Sequence, residues 1–183
     1  MKKLEGKKIA VLVTDGFEQS ELTEPVKAIK SEGGQVDIIA PDRNKVKSWN
    51  NGTWGLEFEV DKILAEADPD DYDGLLLPGG VMNPDQLRRN THAVDFVKGF
   101  FDESHPKPVG AICHGPWTLI NAGVVQGRNM TAYPSLEQDL VNAGAQWHDE
   151  QVVVDHGLVT SRNPGDLPAF NQKLVEELAE GVH

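Results

Sequence analysis

A single cysteine, Cys113, leaves this 183-residue chain with no partner for an internal disulfide, as expected in a reducing compartment. Positive charge is also scarce. Seventeen Lys and Arg stand against 29 Asp and Glu, a formal net charge of −12, which argues against nonspecific binding to nucleic acid or anionic membranes. No apolar run approaches the roughly 20 residues of a membrane span. The first one, Ile9–Val13, is too short for a signal-peptide core and ends in Thr14-Asp15. Neither GxxxxGK[ST] nor GxGxxG occurs, so a nucleotide-phosphate loop has no support. His92, His105, His148, His156 and His183 are scattered without metal-ligand spacing. The expectation is a cytoplasmic protein folded as a single domain over residues 1–183, with no cofactor, no metal, and no nucleic-acid or membrane partner.

What is present centres on Val109-Gly110-Ala111-Ile112-Cys113-His114-Gly115-Pro116. An apolar run ends at the cysteine, small residues flank it, and a helix-like stretch follows. A nucleophile on a tight strand-to-helix turn needs that arrangement, because bulky neighbours would block the bend and a helix N-terminus favours an anion. A lone cysteine is otherwise most often an inert buried thiol. His114 is the candidate base, although adjacent side chains usually point apart and no orienting acid is near in sequence.

The runs Ile9–Val13, Val36–Ala40, Leu75–Leu77 and Val109–Ile112 are short, apolar and non-alternating, as in a parallel sheet covered on both faces. Helical patterns cover Ser20–Glu32, closed by Gly33-Gly34, then Ala93–Phe101, Leu136–Ala143 and Asp166–Glu180. Asn50-Asn51-Gly52 and His156-Gly157 read as hairpin turns. The alternation predicts an α/β fold with a mostly parallel sheet.

In such folds ligands bind beyond the carboxyl ends of the strands. That rule brings Glu18, Gly79-Gly80 and Cys113 together. Glu18 is the candidate carboxyl partner of the thiol, able to donate a hydrogen bond if protonated and to shuttle a proton. The amides of Gly79, Gly80 and His114 are candidate oxyanion donors. Glu21 and Glu24 read instead as solvated first-turn acids. Trp49, Trp54 and Trp147 read as packing or interface residues, and Trp117 as a wall of the pocket.

These segments resemble the PfpI/ThiJ superfamily over nearly the whole chain. The resemblance is carried by Gly16-Phe17-Glu18, Leu77-Pro78-Gly79-Gly80, Ala111-Ile112-Cys113-His114-Gly115-Pro116 and Ser161-Arg162-Asn163-Pro164-Gly165-Asp166-Leu167. The adjacent Cys-His and the last segment look like the PfpI/YhbO branch of intracellular proteases and general stress proteins. The resemblance implies a flavodoxin-like α/β/α sandwich related to class I glutamine amidotransferase domains. It implies Cys113 as nucleophile, Glu18 as its carboxyl partner and His114 as base. It also implies a homo-oligomer, dimer or hexamer, in which Asp85 acts across the interface where relatives often carry glutamate. The implied activity is a cysteine hydrolase of stress protection, most readily deglycase or glyoxalase chemistry on small aldehydes and glycated groups, with peptides as further substrates. The alternative is a redox-sensing or chaperone-like stress protein using an oxidisable Cys113.

Overall fold

The computed structural model describes all 183 residues. The chain opens with β1 (Lys8–Leu12), α1 (Gln19–Ser31) and β2 (Gln35–Ala40), followed by a hairpin of β3 (Lys45–Asn50) and β4 (Thr53–Glu59). Next come β5 (Lys62–Ile63), β6 (Gly74–Leu77), α2 (Met82–Arg88), α3 (Thr91–Gly99) and β7 (Val109–Ile112). The remainder comprises α4 (Pro116–Asn121), β8 (Asn129–Met130), α5 (Glu137–Asn142), β9 (Gln146–Trp147), β10 (Val153–Asp155), β11 (Leu158–Ser161) and α6 (Leu167–Glu180).

Seven strands form the central sheet in the order β10-β11-β7-β6-β1-β2-β5. All neighbours are parallel except the edge pair β10–β11. The continuous apolar runs have a simple cause. β6 and β7 are buried at every residue, because helices cover both faces. Phe96, Phe100 and Leu119 pack on one side, and Ile29, Phe170 and Leu174 on the other. Burying each such side chain contributes roughly 1.5–3 kcal/mol.

The helix and hairpin ends follow local chemistry. Gly33, at φ 88°, closes α1, and the Gly34 amide donates to the Ile29 carbonyl at 3.0 Å. Asn51 and Gly52 both take positive φ, as a two-residue hairpin turn requires, and so do His156 and Gly157. The α3 helix begins earlier than its apolar pattern suggests, since the Asn90 side chain accepts from the Ala93 amide at 3.0 Å and caps it.

The β3–β4 hairpin stands apart from the sheet but is tied to the loop after β1. The Gly16 amide donates to the Lys47 carbonyl at 2.8 Å and the Trp49 amide to the Phe17 carbonyl at 2.7 Å. Gln19 Oε1 accepts from Ser48 Oγ at 2.8 Å and from the Leu56 amide at 3.1 Å. Val13 leads into this loop, Leu77 into Pro78-Gly79-Gly80 and Ile112 into Cys113, so three loops meet at the carboxyl edge of the sheet.

Candidate active site

Cys113 sits at φ 62°, in the left-handed region that L residues avoid, directly after β7 and three residues before α4. A non-glycine residue held there marks a turn over-determined by its surroundings. The Cys113 amide donates to the Ser161 carbonyl at 3.0 Å, and its carbonyl accepts from the Tyr133 amide at 2.8 Å. Gly115 makes the turn possible by close approach. A Cβ there would lie 2.5 Å from the Leu77 carbonyl oxygen and 3.0 Å from that of Ile112.

The bend also turns His114 back toward the sulfur. Its Nδ1 lies 3.2 Å from Sγ, although the two residues are neighbours in sequence. The imidazole is held between rings. Tyr133 stacks on it at 4.6 Å with a 24° interplanar angle, and Trp117 meets it edge-on at 5.0 Å. Burial lowers the imidazole pKa below its ordinary value, so His114 is neutral at physiological pH.

The carboxyl that reaches the thiol is Glu21, not Glu18. Glu21, expected as a solvated acid, is completely buried in the first turn of α1. Its Oε1 accepts the Gly79 amide at 3.0 Å, and its Oε2 has no other partner. The side chain is within hydrogen-bonding reach of Cys113. Burial, reinforced by the charge of Glu18, pushes its pKa up to about 8. Glu21 is therefore mostly protonated at neutral pH and free to donate to sulfur. Burial pushes the Cys113 thiol up as well, and an ionised Glu21 would push it further. Protonation of Glu21 removes that second penalty, so the pair is best satisfied holding a single proton when the thiolate forms. Glu24 is exposed, as expected.

Glu18 lies just before α1, half-buried, its backbone bridged to Trp49 of β3 and its side chain lining the same cleft as Cys113. The oxyanion donors also divide. The Gly79 amide is committed to Glu21, which removes it from the expected set. The amides of Gly80 and His114 are the two that face the Cys113 sulfur and favour its charged form. Gly80 needs both its positive φ of 71° and its missing Cβ, which would approach the Glu18 amide nitrogen at 2.7 Å.

The cleft over the sulfur has a volume of about 470 Å³. Trp49, Val81, Met82 and Tyr133 supply its apolar lining. Trp49, expected only to pack, is part of this wall, and Trp117 lies behind His114 rather than on the cleft surface. Asp85 is exposed in the first turn of α2 and makes no bond to His114 within the chain, whose only side-chain hydrogen bond is to Cys113. Glu177, Glu180 and His183 bring three potential metal ligands together near the C-terminus, away from this cleft. No helix is long and apolar enough to cross a membrane.

The sequence profile described as the DJ-1/PfpI family matches residues 7–177. General stress protein 18 of Bacillus subtilis is 47% identical over 148 residues, 81% of this chain and 83% of that protein. Protein/nucleic acid deglycase 2 of Escherichia coli is 44% identical over 80% of this chain and 83% of its own length. Deglycase PfpI of Pyrococcus furiosus is 41% identical over 80% of the chain and 84% of its own length. Among solved structures, Drosophila melanogaster DJ-1beta superimposes with a TM-score of 0.84 at 28% identity, covering 96% of this chain and 91% of that one. A two-domain Anabaena variabilis protein with DJ-1/ThiJ/PfpI-like and ferritin-like domains superimposes with a TM-score of 0.87 at 35% identity, covering 94% of this chain. The chain spans 48% of the length of that two-domain protein.

Proposed function

The chain belongs to the DJ-1/PfpI family, and from that premise we propose that it is a cysteine-dependent hydrolase of stress protection, acting in the cytoplasm on adducts of small dicarbonyls. One observation carries the choice of aldehyde chemistry. The nucleophile rests against a buried, protonated carboxyl, Glu21, under a cleft where the Gly80 and His114 amides face the sulfur.

In this reading Sγ adds to the aldehyde-level carbon of a methylglyoxal-type substrate, and the thiol proton passes through Glu21 to the former carbonyl oxygen. The Gly80 and His114 amides hold that oxygen while it carries charge. The C–H proton of the resulting hemithioacetal then moves to the neighbouring carbonyl carbon, with Glu21 or His114 as carrier. One carbon is oxidised and its neighbour reduced, so no external oxidant is needed, and a thioester is left on Cys113. Water cleaves it to a hydroxy acid and restores the thiol. In an adduct that carbon is already tetrahedral, so Sγ displaces the amine or thiol that carried the dicarbonyl; the C–N or C–S bond breaks, the leaving group takes the thiol proton through Glu21, and the same hemithioacetal results.

Peptide hydrolysis has one observation in its favour, the 3.2 Å approach of Sγ and Nδ1. The leaving amine must be protonated by an oriented imidazolium, which His114 becomes on taking the thiol proton, and no acid in this chain stands behind the ring to orient it. We assign that acid to Asp85 of a neighbouring copy, which makes peptidase activity a property of the oligomer.

The test supplies methylglyoxal, its hemithioacetal with a small thiol, and a fluorogenic peptide to the wild type, Cys113→Ser and Glu21→Gln. Carbonyl turnover that vanishes in Cys113→Ser and collapses in Glu21→Gln is the expected result. Stoichiometric oxidation of Cys113 by peroxide with no turnover of any substrate would replace the enzyme by a redox sensor.

A further inference from the structure

The cleft over Cys113 is electrostatically one-sided. Among its lining residues the titratable groups are Glu18, Glu21, Cys113, His114 and Tyr133, and no Lys or Arg is among them. His114 is kept neutral by burial, and Glu21 is largely protonated. Glu18 is only half-buried, water reaches it, and its charge is one of the causes that keep the proton on Glu21. Burial raises the Glu18 carboxyl as well, but it is far less enclosed than Glu21.

Glu18 is also held in place. Its backbone is bridged to Trp49 on one side, and Gly80 fits so closely on the other that a Cβ would come 2.7 Å from the Glu18 amide nitrogen. The fold thus fixes the backbone of Glu18 beside a cleft whose apolar lining is Trp49, Val81, Met82 and Tyr133, and the residue lines that cleft. A charge so placed acts in a partly desolvated setting, where a second charge a few ångströms away is worth far more than in open water.

We infer that this cleft sorts substrates by charge, with Glu18 as the specificity-determining residue that favours carbonyl adducts retaining a positive charge, such as those on guanidinium or ammonium groups, over anionic ones. Glu18 thereby acts on substrate selection while Glu21 serves the thiol. The inference rests on the reading of Cys113 as the nucleophile that meets such adducts.

Two measurements test it. Because Cys113 is the only thiol, its modification is read without ambiguity by mass spectrometry. Rates with a trimethylammonium-bearing and a sulfonate-bearing methanethiosulfonate give a cation-to-anion ratio that does not depend on catalysis. That ratio should fall about tenfold in Glu18→Gln, as expected for loss of one partly desolvated charge, and further in Glu18→Lys. It should hold in Glu5→Gln, which removes the same charge from the exposed segment before β1. The second measurement compares kcat/KM for methylglyoxal hemithioacetals of cysteamine, mercaptoethanol and mercaptoacetate. The cationic adduct should be preferred by the wild type, the ratio of cationic to neutral kcat/KM should fall in Glu18→Gln, and the order should invert in Glu18→Lys. A labelling ratio that is the same in wild type and Glu18→Gln overturns the inference, as do equal kcat/KM values for the three adducts. A ratio that shifts as expected without turnover of any adduct upholds the charge selection and overturns the dicarbonyl reading instead.

Discussion

Glu21 reaches Cys113 from the first turn of α1, with Oε1 held by the Gly79 amide and Oε2 buried without a hydrogen-bond partner. A buried polar atom without a partner is costly, and its retention fits a group whose second partner is the reacting system itself. Glutamine at this position keeps the acceptor for Gly79 and loses the mobile proton. Glu21→Gln should therefore fold, bind substrate with similar KM, and lose about 10²–10⁴ in kcat, the usual worth of general acid–base catalysis. Steady-state kinetics together with a melting curve check it. A kcat within threefold of wild type would remove Glu21 from the proposed proton path.

The same carboxyl makes stability depend on pH. Unfolded, Glu21 titrates near its ordinary value of 4.5; folded, it is pushed up to about 8. The native state therefore binds the extra proton between those values. Stability relative to a Glu21→Gln reference should be greatest below about pH 4.5, decline as pH rises, and level off above about pH 8. The limiting slope is about 1.4 kcal/mol per pH unit for one proton. Denaturant titrations of both proteins at pH 5, 6.5 and 8 measure it. Equal pH profiles for the two proteins would contradict a buried neutral carboxyl.

Gly79 has no positive φ to justify it; space is the reason for glycine there. A Cβ would stand 2.6 Å from Glu21 Oε1 and 2.7 Å from the Cys113 Cβ. Gly79→Ala should push the acid and the nucleophile apart, cost about 1–3 kcal/mol in stability as an overpacked site, and abolish turnover. Thermal unfolding and the iodoacetamide reactivity of Cys113 report the two effects separately.

Much of this was legible in the sequence, and the exceptions have physical causes. The buried strands read directly from their apolar runs, because a sheet covered on both faces leaves no polar alternation to confuse the period. The elbow and both positive-φ turns announced themselves through small residues and Asn-Gly or His-Gly pairs. Glu18 and Glu21 could not be ranked by composition, since both flank the start of one helix. Helix phase decides between them. Glu21, Pro25 and Ile29 form one line down the buried side of α1, while Glu18 precedes the helix on extended backbone. That i, i+4, i+8 line was the available signal. The place of Trp49 was not readable at all, because it depends on a hairpin folding back onto a loop some 30 residues earlier.

Gln19 is one of two side chains that tie that hairpin to the loop after β1, accepting from both Ser48 Oγ and the Leu56 amide, while Asp15 Oδ1 accepts from the Lys47 amide. Gln19→Ala leaves the Leu56 amide without its acceptor and Ser48 Oγ with only the Leu56 carbonyl, and should cost about 1–3 kcal/mol. Because the loop on one side of the bond carries Glu18 and the strand on the other carries Trp49, KM should rise several-fold while kcat changes little. Hydrogen exchange of the Trp49 and Leu56 amides, faster in the variant, would locate the loss. An unchanged KM would mean the hairpin does not shape the cleft.

Asp85 tests the oligomer. Asp85→Ala should spare dicarbonyl turnover and reduce any peptide cleavage, and mixing it with Cys113→Ser subunits should restore part of that cleavage, since each variant supplies what the other lacks. No restoration under conditions where the subunits exchange would confine the active site to one chain.

The β3–β4 hairpin contributes Trp49 to the cleft yet takes no part in the central sheet that holds Cys113 in its bend. Bond-making machinery and substrate wall therefore rest on separate foundations. Lengthening, shortening or re-facing the hairpin would change which molecules are admitted without disturbing the strand, the turn or the amides on which the proposed reaction runs. A scaffold divided in this way lets one piece of chemistry be offered to many substrates, with selection acting on a ribbon at the periphery while the nucleophile stays where it is.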